Sequence, residues 1–449
     1  MSAAVLALVA ATTASVAVAD GEMIFAPGEG DFNWDSYAAY ADSHDLSGQS
    51  LTVFGPWLAG EGQSFENLMA YFGEATGADW SYVGSDSLEQ QIVIDAEAGS
   101  APDITVFPQP GLAANMAARG FLTPLPEGTA DWIRENYAAG DSWVDLGTYA
   151  NASGEDELFG FFFNVNVKSL VWYVPENFED LDIEVPETME ELKELTDLIV
   201  EEGETPWCIG LGSGGATGWP ATDWVEDMML RTQPPEVYDQ WTRNEIPFDD
   251  PRVVAAIEEF GAFARNDDYV VGGAAALAAT DFRDSPKGLF SAPPQCYMHR
   301  QASFIPAYFP EDTVLGEDVD FFYFPAFAEK DLGRPVLGAG TLFALTSDNP
   351  ANAAFLEFLE TPFAHEVMMA QDGFLTPMTG ADPVNYANDA QRGQGEILTS
   401  ATTFRFDGSD LMPGGVGAGS FWTGMVDYSG GADAASVAAA IQASWDALK

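Results

Sequence analysis

Residues 51–120 read LTVFGPWLAGEGQSFENLMAYFGEATGADWSYVGSDSLEQQIVIDAEAGSAPDITVFPQPGLAANMAARG, a stretch in which short apolar runs alternate with amphipathic ones. Leu51 to Gly55 predicts a strand. Phe65, Leu68, Met69 and Phe72 then recur at helical spacing, giving one face to pack on that strand before Gly77 ends the helix. Tyr82 and Val83 predict a second strand. Ser87 and Gln90 have capping-box spacing at the head of a helix that carries Leu88, Ile92 and Ala96 and closes at Gly99. Ile104 to Phe107 predicts a third strand, and Leu112 to Ala118 a third helix stopped at Gly120. Strands feeding helices in this order build a βαβαβα lobe of an α/β protein, with its ligand-facing loops at the carboxyl ends of the strands.

Upstream of that lobe the first nineteen residues are almost all small or apolar, and Ala17-Val18-Ala19 supplies the small side chains that precede a signal-peptidase cut before Asp20. The expectation is export, with residues 1–19 a signal peptide cleaved after Ala19. No Lys or Arg precedes the apolar run, and no cysteine lies near the cut to take a lipid anchor. The chain has two cysteines, Cys208 and Cys296. An even pair in an exported chain points to a disulfide, worth roughly 4 to 5 kcal/mol in the loop-entropy model. Two small buried thiols are the alternative.

Sixteen basic residues stand against 71 acidic ones, a net charge of −55 that repels nucleic acid and anionic lipid surfaces. The acids are scattered rather than gathered in a tail, which fits a heavily hydrated surface suited to a salty surrounding. With 449 residues, 47% of them hydrophobic, the chain is long enough for two or three domains.

Downstream, Phe159 to Pro175 is apolar and aromatic without helical period, and is expected to carry the chain as a strand towards a second lobe. Thr188 and Glu191 make a capping box for a helix faced by Leu192, Leu195 and Ile199, with Gly203 at its end. Asp250-Pro251 and Asn349-Pro350 each open a further helix with proline in the first turn.

Gly210, Gly212 and Gly215 match the spacing of a dinucleotide fingerprint after a strand-like Trp207 to Leu211. The run holds five glycines, so the match arises easily by accident. The expectation is a glycine loop that presents backbone N–H groups and Trp219 to a ligand, without a cofactor. Paired carboxylates of a glycosidase cannot be told from chance among 71 acids. His44, His299 and His365 show no metal-ligand spacing, and there is no G-x-S-x-G elbow. The positive signal is aromatic. Of twelve tryptophans, Trp57, Trp219 and Trp422 are flanked by Gly or Pro in expected loops. Indole faces stack on the apolar C–H faces of a sugar ring, whose hydroxyls need polar partners.

Ala101-Pro102-Asp103-Ile104, Gly120 to Leu125, Pro186 to Leu195, Gly338-Ala339-Gly340 and Phe355 to Leu359 followed by Gly373 to Pro377 resemble the extracellular sugar-binding proteins of ABC importers, solute-binding protein family 1. Gly28 to Tyr37, Phe54 to Trp57, Gln90 to Asp95, Gly210 to Trp224 and Phe404 to Pro413 are similar to its α-glucoside-binding branch. The resemblance implies a two-lobed, maltose-binding-protein-like fold of type II with the ligand cleft between the lobes. The implied division is a first α/β lobe at 20–163, a second at 164–335, and segments at 336–449 shared between the first lobe, the hinge and C-terminal helices. It implies a periplasmic monomer that closes on sucrose, maltose, trehalose or a small glucosyl compound such as glucosylglycerol, then docks on a membrane permease. Neither catalysis, cofactor nor metal is implied.

Carried over residue by residue, the first lobe offers Trp57, Glu61, Asp86 and Gln109. Asn164 lies near a crossing, the second lobe offers Trp219 as a stacking platform, Asp223 as an acceptor and Arg300 as a donor, and Arg405 and Trp422 close the site. Two rivals stand beside this reading: the same fold holding a compatible solute or a cation, and a glycoside hydrolase.

Overall fold

In β1 (Ser50–Gly55) Leu51, Val53 and Phe54 are buried, and β2 (Asp79–Gly84) and β3 (Ile104–Phe107) lie parallel to it on either side. The structure, a computed structural model, describes residues 21–137, 140–371 and 373–448. The expected cleavage after Ala19 lies outside the described residues. Each of the three strands is followed by a helix, Ala59–Thr76, Leu88–Ala98 and Pro110–Ala118, as the alternation predicts. Phe65, Leu68, Met69 and Phe72 of the first of these helices are completely buried. It ends at Gly77 with φ 73°, a conformation open to glycine because it lacks a Cβ.

The chain then forms a short hairpin, β4 (Thr148–Ala150) with β5 (Asp156–Leu158). The apolar run expected as one strand is two, β6 (Phe161–Val167) and β7 (Leu170–Tyr173), interrupted at Lys168-Ser169. β7 joins β8 (Met298–Arg300) and β9 (Asp320–Tyr323) in a three-stranded antiparallel sheet. β10 (Pro335–Leu345), buried at every position, pairs antiparallel with both β3 and β6, and its first residues pair in parallel with β11 (Thr403–Phe406).

Two large cores result. In one, Phe65, Phe72, Phe343 and Phe355 meet with ring centroids 5.1 to 6.4 Å apart. In the other, Trp207 and Trp224 meet Phe260 and Phe263. A smaller cluster holds the Cys208–Cys296 disulfide, with Cα atoms 5.4 Å apart. The chain passes between the large cores three times: from Val165 to Val171, from Leu337 to Leu342 along β10, and from Phe406 to Met412. The boundaries expected at 163/164 and 335/336 fall inside β6 and at the start of β10.

The capping box at Thr188 and Glu191 forms as read, and Asp250 and Asn349 cap their helices. Two local readings fail. Trp207 to Leu211 is not a strand but makes only isolated bridges from Trp207 to Val270 and Met298. Ser87 makes no side-chain cap: its Oγ turns to Asp86, its backbone N–H donates to Ser85 Oγ at 3.1 Å, and the Gln90 side chain reaches Gly215 instead of the helix start. Among the described residues no helix is long and apolar enough to cross a membrane.

Candidate functional site

The three βα turns of the first lobe open onto a cleft with an empty volume of about 830 Å³. After β1 come Pro56, Trp57 and, one helical turn on, Glu61; after β2, Ser85, Asp86 and Glu89; after β3, Pro108 and Gln109. This is where an α/β sheet places ligand groups, since the strand ends leave loops free while the helices cover the faces. Trp57 is fixed by the Tyr82 hydroxyl, which accepts from its backbone N–H at 2.9 Å and donates to its carbonyl at 3.0 Å. Gln109 donates to Glu89 Oε1 at 2.9 Å.

The floor is the crossing strands, with Asn166 from β6, Lys168 just beyond it, and Gly340 and Thr341 from β10. The opposite wall is assembled from separate segments: Ser213 and Trp219, then Phe282 and Arg283, then Phe304 and Tyr308, with Asp407, Ser409, Asp410 and Trp422 arriving after β11. Trp219 is braced edge-on by Phe282, ring centroids 4.9 Å apart, and Lys168 Nζ lies 5.3 Å from the centroid of its ring. Across the cleft the buried Tyr308 hydroxyl donates to Glu61 Oε2 at 2.5 Å, joining the two walls.

Behind that wall one ammonium holds several carboxylates together. Lys168 Nζ donates to Asp223 Oδ1 at 2.8 Å and to Asp407, all three being buried. Asp407 also accepts from Ser409 Oγ at 2.9 Å and from the Asp410 backbone N–H at 3.1 Å. Glu226 accepts from the backbone N–H groups of Gly408 and Ser409, both at 2.9 Å. Burial opposes ionisation of Asp407, but Lys168 and the neighbouring hydrogen bonds hold its carboxyl below the usual range. Burial and the Asp407 charge push Glu226 and Asp410 well above theirs. Asp223, Glu226 and Asp407 bring carboxylate oxygens within 4.8 Å of one another, a grouping that could hold a metal. Lys168 already supplies the positive charge there.

Of the ten expected ligand residues the cleft brings together Trp57, Glu61, Asp86, Gln109, Trp219 and Trp422. The other four lie elsewhere. Asn164 is buried in the β6–β10 pairing opposite Thr341, with Asn166 two residues on reaching the floor instead. Asp223 sits behind the wall on Lys168. Arg300 is buried against Asp227, 2.5 Å away, and donates to the Asp223 carbonyl. Arg405 is held by Asp239 through two bonds of 2.6 and 2.9 Å. Both arginines thus brace the second lobe. His299 and His365 are buried, and burial lowers their pKa to about 4 and about 3.

Lys168, Arg283, Tyr308, Asp407 and Asp410 were not singled out from the sequence. A signal existed for Lys168, the only charged residue between Phe159 and Val174. Several buried polar atoms of the cleft lack a protein partner: Glu89 Oε2, Gln109 Oε1, Asn166 Oδ1, Thr341 Oγ1 and Trp422 Nε1. Three of these are acceptors, beside aromatic faces, so the cleft suits a ligand that offers hydroxyl donors and apolar ring faces.

Two lobes with a three-fold crossing and a cleft walled from both sides define a receptor for a small solute, with the maltose-binding-protein-like fold. The chain belongs to the family of bacterial extracellular solute-binding proteins, which it matches over residues 55–366. It is 62% identical over 430 residues to the alpha-glucosides-binding periplasmic protein AglE of Rhizobium meliloti (strain 1021), covering 95% of this chain and 94% of that one. It is 41% identical over 402 residues to the osmoprotective compounds-binding protein GgtB of Synechocystis, covering 89% and 93%. Among solved structures, the bacterial solute receptor AcbH superposes with a TM-score of 0.76 over 89% of this chain and 99% of that one, at 18% identity.

Proposed function

We propose that the chain is the periplasmic receptor of an ABC importer and captures an α-glucoside by closing its lobes on it. One observation carries the reading: aromatic platforms and unpartnered hydrogen-bonding groups from both lobes converge on one cleft. A ligand that contacts both walls stabilises the closed state in proportion to its extra contacts there, and the closed receptor is what a permease would recognise. The identity to the Rhizobium relative supports the sugar class. The Cys208–Cys296 disulfide fits an oxidising compartment such as the periplasm. The reading has the protein bind as a monomer and release its sugar unaltered.

The Synechocystis relative favours a second reading, capture of an osmoprotective solute. Glucosylglycerol would satisfy both. A calorimetric screen separates them: sucrose, maltose, trehalose and glucosylglycerol against betaines and polyamines. Saturable heat with at least one glucosyl compound, recovered intact, is expected. Heat with betaines or polyamines alone, or accumulation of hydrolysed sugar, overturns the proposal.

A further inference from the structure

The glycine run 210–218 has a use that a cofactor loop does not account for. Resting on the receptor reading above, we propose that this run is the gauge that sets how far the lobes close, with Gly214 and Gly215 as its contact face and the length of the accepted sugar as its consequence.

Its first half is fitted to its own lobe. A Cβ on Gly210 would lie 2.8 Å from the Thr280 carbonyl oxygen, and one on Gly212 would lie 2.9 Å from the same atom. The run therefore lies flat on Thr280-Asp281, with Gly212 N–H donating to the Thr280 carbonyl and Phe282 N–H to the Gly212 carbonyl, both at 2.9 Å. That bridge seats Phe282 and Arg283 in the cleft wall.

Its second half faces the other lobe. A Cβ on Gly214 would collide with the Asp86 carboxylate, and one on Gly215 would lie 2.9 Å from Gln90 Oε1 and 3.0 Å from Ser87 Oγ. Every one of these atoms belongs to the β2 turn and helix of the first lobe. Among the described residues the hydrogen bond across this contact is a long one, Gln90 Nε2 to the Gly215 carbonyl at 3.5 Å. The contact is thus a steric stop rather than a clasp: it fixes the closing distance while resisting reopening little. A lone Cβ at 215 meets the movable ends of Gln90 and Ser87, whereas a larger side chain runs on into the Asp86 turn and halts the lobes early. A sugar long enough to reach past Asp86 does the same, so this end of the cleft selects short ligands.

Gly215 is the position to test, because its φ lies outside the left-handed region and its backbone accepts other residues, unlike Gly214 at φ +54°. The measurements are small-angle scattering and calorimetry with maltose, sucrose and trehalose on wild type and Gly215→Leu. Empty Gly215→Leu is expected to keep the wild-type thermal midpoint. It should contract incompletely with sugar and bind about tenfold more weakly. Trimming the opposing lobe with Ser87→Gly and Gln90→Ala should restore part of that loss. Should Gly215→Leu fail to fold, Gly215→Val carries the same test, with a loss of about threefold restored in part by Gln90→Ala. A variant that contracts and binds like the wild type overturns the proposal, as does a loss that trimming leaves untouched. A wild type that ignores every sugar overturns the receptor reading itself, and this inference with it.

Discussion

The first-lobe face of the cleft hangs on three parallel strand ends, whereas the second-lobe face is gathered from five separate segments around one buried ammonium. Trp57, Asp86 and Gln109 follow directly on β1, β2 and β3, whose backbone pairing already fixes where those loops lie. Trp219 follows no strand, and for Asp407 and Asp410 the sheet fixes only the end of β11, where the Asp407 N–H donates to the Gly338 carbonyl at 2.8 Å. Their relative placement depends on Lys168 joining the Trp219–Thr232 helix to the segment after β11, through Asp223 and Asp407. Substitutions of Asp86 or Gln109 on the first face should therefore change affinity more than folding, and substitutions in the second face's support should change folding as well.

The strongest way to break this contrast is Lys168→Met. Removing one partner of a buried ion pair leaves the others uncompensated, so a loss of about 3–5 kcal/mol in denaturant unfolding is expected. Wild-type stability would mean the carboxylates do not depend on the lysine. Next in size is Trp219→Ala, which takes away a half-buried stacking platform. About 30-fold weaker sugar binding, with a nearly unchanged melting midpoint for the empty protein, is the expected calorimetric result.

A titration sharpens the contrast from the first-lobe side. Burial raises the Glu61 carboxyl to about 7, against the pull of the Tyr308 hydroxyl and Arg283. The folded chain thus holds a proton that the unfolded chain releases near the ordinary value of 4.5. Its stabilising contribution is complete below that pH and disappears as pH rises through about 7. In Glu61→Gln this dependence is gone, so the variant's melting midpoint relative to wild type should climb between about pH 5 and pH 8. A flat difference across that range would place Glu61 in ordinary solvent. The smallest effect belongs to Arg405→Ala. Its ion pair with Asp239 lies outside the cleft and is about a third exposed, so about 1 kcal/mol of stability or less should go, with affinity unchanged within about twofold.

The same contrast governs what could be read from the chain before its structure. Leu51 to Gly120 announced its fold because each periodic run is punctuated by a glycine or a cap within a few residues. Trp57, Trp219 and Trp422 were legible as loop tryptophans. The ionic support was not, because Lys168 and Asp407 lie 239 positions apart and 71 acids offer no way to choose which ones share the lysine. Arg300 was expected to donate to a ligand and Arg405 to close the site, yet Arg300 meets Asp227 and Arg405 meets Asp239. At Ser87 the capping pattern does not form: Ser85 Oγ takes the Ser87 N–H, and the Gln90 side chain makes a contact across the cleft that is invisible at the scale of four residues.

Capture by both faces is tested most directly by a crystal structure grown with the bound α-glucoside. A glucosyl ring resting on Trp219 or Trp422, with hydroxyls donated to Glu61, Asp86 or Gln109, is the expected result. A sugar held by one lobe alone, or bound outside the cleft, would contradict it.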